Sequence, residues 1–107
     1  MDMYADCDIN SISEYITQHN RMFDLFSDVY IFGSVVVKAN YPNDIDLLLV
    51  YEKYSDELQN QLKKISEHFK NAFGLYVDIT VLSEEELKQT KFLQRLKNKY
   101  QKISINS

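Results

Sequence analysis

Residues 30–51 read YIFGSVVVKANYPNDIDLLLVY, and they hold one of the chain's two glycines and two aspartates separated by a single isoleucine. The lead-in DVYIF (28–32) is short, β-branched and aromatic, which predicts a strand ending at Gly33. The segment DIDLLLVY (44–51) is almost continuously apolar, as expected of a strand covered on both faces. A carboxylate buried without a partner is costly, so strands exclude Asp unless something compensates. Side chains alternate along a strand, so Asp44 and Asp46 are expected on one face, about 7 Å apart. Two like charges at that separation raise the proton affinity of at least one of them unless a cation intervenes, and a divalent metal is the natural cation.

Working outward, the same anomaly recurs in LYVDITVL (75–82), where Asp78 has apolar or aromatic neighbours on both sides. If the two strands pair, three carboxylates converge on one patch of sheet. Such a hard oxygen donor set suits magnesium or manganese; zinc would call for His or Cys. His19 and His68 both fall in helical segments beside apolar stripes and read as ordinary boundary residues. The single cysteine, Cys7, has no second thiol with which to form a disulfide or share a zinc ion.

Upstream, Gly33 ends a strand and Ser34 begins a short helix in the same reading. That arrangement bends the backbone and aims N–H groups and a hydroxyl at one spot, which makes an anion site. Asn43, just before Asp44, caps the loop or touches the anion, and Tyr41 is a packing residue or a base-stacking one. Metal together with phosphate points to phosphoryl or nucleotidyl transfer.

The rest of the chain supplies the frame. Ser11 and Glu14 form a capping-box pattern ahead of Ile12, Tyr15, Ile16, His19, Phe23 and Phe26 at helical spacing. Leu58, Leu62, Ile65, Phe69, Ala72 and Phe73 make a second helical stripe from Ser55 to Gly74, a natural C′ residue. Ser83 and Glu86 open a last helix that carries Leu87, Phe92, Leu93, Leu96 and Tyr100 among basic residues. The expected order is α, β, short α, β, α, β, α. This predicts one α/β (α+β) domain over residues 1–107, a small mixed sheet flanked by helices.

Composition agrees with a folded chain: 45% of residues are hydrophobic, with eight tyrosines and six phenylalanines. No apolar run approaches the roughly 20 residues needed to span a bilayer, and the acidic N-terminus lacks the pattern of a signal peptide. A soluble, cytoplasmic protein with no membrane partner is expected. The net charge of −4 argues against general nucleic-acid affinity, yet it is unevenly spread. Lys88, Lys91, Arg95, Lys97, Lys99 and Lys102 fall in the last twenty residues, where no acid follows Glu86. An apolar stripe and a basic face are expected to coexist there, as a core-packing helix with a solvated face or as a docking surface for an acidic protein or RNA. Neither a Gly-x-x-x-x-Gly-Lys loop nor a Gly-x-Gly-x-x-Gly fingerprint is present, and LLL after Asp46 excludes a calcium loop.

Gly33-Ser34, nine intervening residues, Asp44-Ile45-Asp46 and a later strand aspartate, Asp78, together resemble the signature of the DNA polymerase β-type nucleotidyltransferase superfamily. The resemblance covers residues 30–82, and the small size is similar to the minimal nucleotidyltransferases, often encoded beside a helical HEPN partner as toxin-antitoxin pairs. It implies that Asp44 and Asp46 bind two metal ions, Mg²⁺ or Mn²⁺, that grip the triphosphate of a substrate such as ATP. It implies that Asp78 helps hold the metal that activates the attacking hydroxyl, and that Gly33, Ser34 and their neighbours contact phosphate. Minimal members commonly read Gly-Ser-Arg-Ala-Arg-Gly, whereas Val35, Val36, Val37, Lys38, Ala39 and Asn40 follow Ser34 here. Lys38 is thus the cation that this loop retains for a triphosphate. Larger members add a helical domain that closes over the nucleotide; here the acceptor platform is expected from elsewhere.

Three functions stay open. The first is transfer of a nucleoside monophosphate, AMP from ATP above all, to a protein hydroxyl on a HEPN-type partner, with RNA 3′ ends or small molecules as other acceptors. The second is a catalytically impaired module that neutralises a partner by binding, in a homo- or hetero-oligomer. The third is a plain structural domain.

Overall fold

The computed structural model describes residues 8–33, 36 and 44–105, Asp44 through its backbone only. Helix α1 (Ile9–Gln18) and a 3₁₀ turn (Asn20–Phe23) precede strands β1 (Asp28–Phe32) and β2 (Asp44–Tyr51). Helix α2 (Glu57–Phe73), strand β3 (Tyr76–Ser83), helices α3 (Glu84–Thr90) and α4 (Phe92–Arg95), and strand β4 (Tyr100–Ile103) follow. The four strands form one mixed sheet in the order β3-β2-β1-β4. β2 runs antiparallel to β1 and, through the α2 crossover, parallel to β3; β4 runs antiparallel to β1. The mixed α/β architecture expected of the sequence is the one observed.

Both faces of the sheet are covered, which is why β2 reads as an apolar run. On one face, Ile45, Leu47 and Leu49 of β2 and Val29 and Ile31 of β1 pack against Ile12 and Ile16 of α1 and Leu58, Ile65 and Phe69 of α2. On the other face, Tyr30, Leu48 and Val50 lie beneath Leu87, Phe92 and Leu93 of α3 and α4. The α2 stripe is the one expected, and α2 ends at Gly74 in the left-handed conformation (φ 71°). The Ser83–Glu86 capping box also forms, with both of its reciprocal hydrogen bonds present.

Two expectations need correction at the ends of the chain. The N-cap of α1 is Asp8, whose carboxylate accepts from the Ser11 N–H at 2.7 Å, so Ser11 lies one turn inside the helix. The helix stops at Gln18, with His19 as its C-cap residue, and a 3₁₀ turn carries Phe23 into the core in place of continued α-helix.

The expected single C-terminal helix is broken at Lys91, which is left-handed (φ 54°). Lys97 and Asn98 are left-handed as well (φ 52° and 67°), and the chain then extends as β4, a fourth strand that periodicity arguments about a helix passed over. The physical gain is edge pairing: β4 covers the outer edge of β1 and buries Ile103 opposite Val29. Among the described residues no helix is long and apolar enough to cross a membrane.

Phe69 is fully buried, with its ring 5.3 Å from that of Tyr15 and 5.7 Å from that of Phe73. Phe69→Ala is expected to cost about 3–5 kcal/mol in urea unfolding. By contrast Lys102→Met, which removes an exposed 3.2 Å ion pair to Asp28, is expected to cost less than about 1 kcal/mol in the same experiment.

Candidate active site

The site is built at the end of β1. Gly33 follows the last residue of that strand with φ +84°, a conformation that side chains with a Cβ rarely adopt. A Cβ placed there would overlap the Asp46 Oδ2 and lie 3.0 Å from the Asp46 Cγ. Dihedral angle and space therefore both demand glycine, and the missing side chain leaves a notch filled by the Asp46 carboxylate. A hydrogen bond from the Val36 N–H to the Gly33 carbonyl (3.1 Å) tightens the turn that follows.

Register assembles the rest. Phe32 pairs with Asp46 across β1 and β2, and Asp46 pairs with Asp78 across β2 and β3. Residues opposite one another on adjacent strands share a face, with Cα atoms roughly 5 Å apart. Asp46 and Asp78 are thus brought together on the face that α3 and α4 cover farther along. Asp46 is half-buried against Gly33, and Asp78 is exposed on the outer strand. This is the strand pairing that the sequence anticipated.

Asp44 opens β2, two residues before Asp46, with its backbone in register with Tyr76. Its side chain lies outside the described residues, as do Ser34, Lys38, Tyr41, Asn43 and the expected short helix after Gly33. Cys7 lies outside them too. Among the described residues no group of three or more His, Cys, Asp or Glu side chains is placed to hold a metal ion. The described carboxylates at the site are those of Asp46 and Asp78.

Both histidines sit away from this face, as boundary residues should. His19 stacks on Tyr15 with ring centroids 4.2 Å apart, and its Nδ1 lies 2.9 Å from the Tyr15 carbonyl oxygen; His68 is exposed on α2. Tyr76, on the edge strand, is 72% exposed, whereas Tyr30 is buried beneath the site's face. Burial first, and the nearby Asp28 carboxylate second, push the Tyr30 hydroxyl above its ordinary value.

The basic C-terminal residues that the sequence marks as a solvated face or docking surface lie in part beside Gly33, a placement the sequence does not show. A cleft of about 510 Å³ opens beside Gly33, lined by Phe32, Gly33, Arg95, Leu96, Lys97 and Lys99. The signal for it was present in KNKYQKISI (97–105): a turn-forming Asn98, then Ile103 and Ile105 alternating with Lys102 and Ser104 at strand period. Read as one helix, the same residues scatter their charges around a solvated cylinder.

A family model for the nucleotidyltransferase domain matches residues 12–105. No curated protein and no solved structure matches the chain.

If the Asp46 carboxylate occupies the space of the missing Cβ, Gly33→Ala is expected to destabilise by about 1–3 kcal/mol, from backbone strain and displaced carboxylate together. Truncating the obstruction in Gly33→Ala/Asp46→Ala should return part of that loss. A double-mutant cycle in urea unfolding is expected to give a coupling of about 1 kcal/mol, and strict additivity would refute the contact.

Proposed function

The chain belongs to the nucleotidyltransferase domain family, and on that footing we propose that it transfers a nucleoside monophosphate, AMP from ATP, to a hydroxyl group of a protein. The observation that supports this best is the register of Phe32, Asp46 and Asp78 across three neighbouring strands, with Gly33 opening the space beside Asp46. Carboxylate oxygens are the donors that magnesium and manganese prefer, so Asp46 and Asp78, with Asp44 two residues before Asp46, are the residues that would hold such ions. Bound there, the metal would neutralise phosphate charge and favour in-line displacement at the α-phosphorus.

The chain's own groups then have separate tasks. Asp46, wedged against Gly33, is held at one position at the end of the β1–β2 pair. Asp78, exposed on the outer strand, is within reach of an incoming acceptor and takes the proton of its hydroxyl. The acceptor oxygen bonds to the α-phosphorus as the bond to the bridging oxygen breaks, and pyrophosphate leaves.

The acceptor in this proposal is a helical HEPN-type protein, and the pair would act as toxin and antitoxin. What supports it is the likeness of the Gly33-Ser34 and Asp44-Ile45-Asp46 pattern to minimal nucleotidyltransferases.

The test is incubation of the full chain with Mg²⁺ and ATP labelled at the α-phosphate in a lysate of the source cells. Label on a discrete protein band is expected, lost on chelation and reduced at least about a hundredfold by Asp46→Asn and by Asp78→Asn. Label on RNA would replace the protein acceptor with a nucleic-acid one. Equal labelling by wild type and both variants, or none by wild type with any nucleotide, would overturn the transfer reading.

A further inference from the structure

We propose that Arg95, Lys97 and Lys99 form the anion-binding half of this site and receive the β- and γ-phosphates of the nucleotide, and afterwards pyrophosphate. The inference rests on the nucleotidyl-transfer reading and deepens it by assigning the residues that bind the polyphosphate tail.

Register is the first argument. Phe32 is paired with Asp46 on one side and with Tyr100 on the other. Asp46 and Tyr100 are therefore two strand spacings apart, about 10 Å, across the Phe32 position. The turn that ends at Lys99 delivers its cations directly onto that position, and the resulting cleft contains Phe32 and Gly33 in its wall. A nucleotide whose α-phosphate lies near Asp46 and Gly33 thus has its tail directed along a cleft lined, among the described residues, by three cations and no acid.

Chemistry is the second. Bringing a polyphosphate to a carboxylate site concentrates negative charge, and the loop sequence after Ser34 (35–43) supplies one cation, Lys38. Arg95 offers a planar fork for bidentate phosphate contact, and Lys97 and Lys99 act as point charges. Among the described residues none of the three is in an ion pair; the pair present joins Lys102 to Asp28.

The backbone is the third. Lys97 and Asn98 are consecutive non-glycine residues with positive φ (52° and 67°). A lysine in this conformation costs about 1 kcal/mol or more and an asparagine less, and such strain persists where the surroundings hold it in place. Here the Lys97 N–H donates to the Gln94 carbonyl (3.2 Å) and the Lys99 N–H to the Leu96 carbonyl (3.0 Å), fixing the turn beside the cleft. Phe92 of α4 meets Phe32 edge to face with centroids 5.6 Å apart, so the turn is anchored to the strand that carries Gly33.

The test is calorimetric titration of the full chain with inorganic tripolyphosphate in Mg²⁺. It compares wild type, Arg95→Gln/Lys97→Gln/Lys99→Gln, and a control with equal charge loss, Lys53→Gln/Lys63→Gln/Lys64→Gln. The cleft variant is expected to bind at least roughly tenfold more weakly, and the control within about twofold of wild type. Single Lys97→Gln, at an exposed side chain, should weaken binding roughly threefold, which keeps the test decisive if the triple variant is poorly folded. Equal weakening by the two triple variants, or none by either, would overturn the assignment. Transfer of α-label by the cleft variant with an unchanged KM for ATP would overturn it while leaving nucleotidyl transfer standing. Cleft-dependent tripolyphosphate binding by a wild-type protein that transfers no label would support the cleft and refute the transfer reading.

Discussion

Strand β2 is covered on both faces, and that constraint decides where charge can be placed in this fold. Its residues 47–50 are fully buried, Leu47 and Leu49 under α1 and α2, Leu48 and Val50 under α3 and α4. A carboxylate at any of these four positions would lose its hydration with no compensating partner. At Asp46 the cover thins, and glycine at position 33 supplies the remaining space. On the α3–α4 face, Asp46 therefore marks the point at which the core ends, while Ile45 on the opposite face is still fully buried.

From that point the sheet acts as a ruler. Phe32 on β1, Asp46 on β2, Asp78 on β3 and Tyr100 on β4 lie at one level across four strands, with Gly33 one residue beyond Phe32. Carboxylates occupy the β2–β3 side of this line and cations reach it from the β4 side. In the proposed transfer reaction the cationic side would attract the phosphate tail and the carboxylate side would hold the metal ion. Each strand contributes one feature, so the spacing between features follows from hydrogen-bonding geometry.

The sequence discloses the parts of this arrangement that depend on local pattern. Gly33 was legible because a strand that ends in glycine requires a positive φ or a close approach, and here it has both. Asp46 and Asp78 stood out because aliphatic strands exclude acids, and their pairing follows once β2 and β3 lie side by side. The C-terminal segment reads as one helix because Leu87, Phe92, Leu93 and Leu96 fit a helical stripe, while the interruptions at Lys91 and Lys97 use lysines, which carry no signal for left-handed backbone; Asn98 alone gives one. The first helix misled for a related reason: Asp8 and Ser11 are both good caps, and only packing decides between them. Long-range pairing, as of β4 with β1, is invisible to any short window.

The cations at 95–99 lie about fifty residues beyond Asp46 and about twenty beyond Asp78, and β4, a strand of four residues with one sheet neighbour, holds them beside Gly33. Short edge strands belong to the least stable cooperative units of a domain, opening and closing while the core stays intact. Detachment of β4 would loosen its preceding turn, then held through Phe92 against Phe32, and leave Gly33, Asp46 and Asp78 in position. Polyphosphate bound across both halves, as proposed, would favour the closed state by its differential affinity, and occupancy of the site and amide-exchange protection of β4 would then be linked through one opening equilibrium.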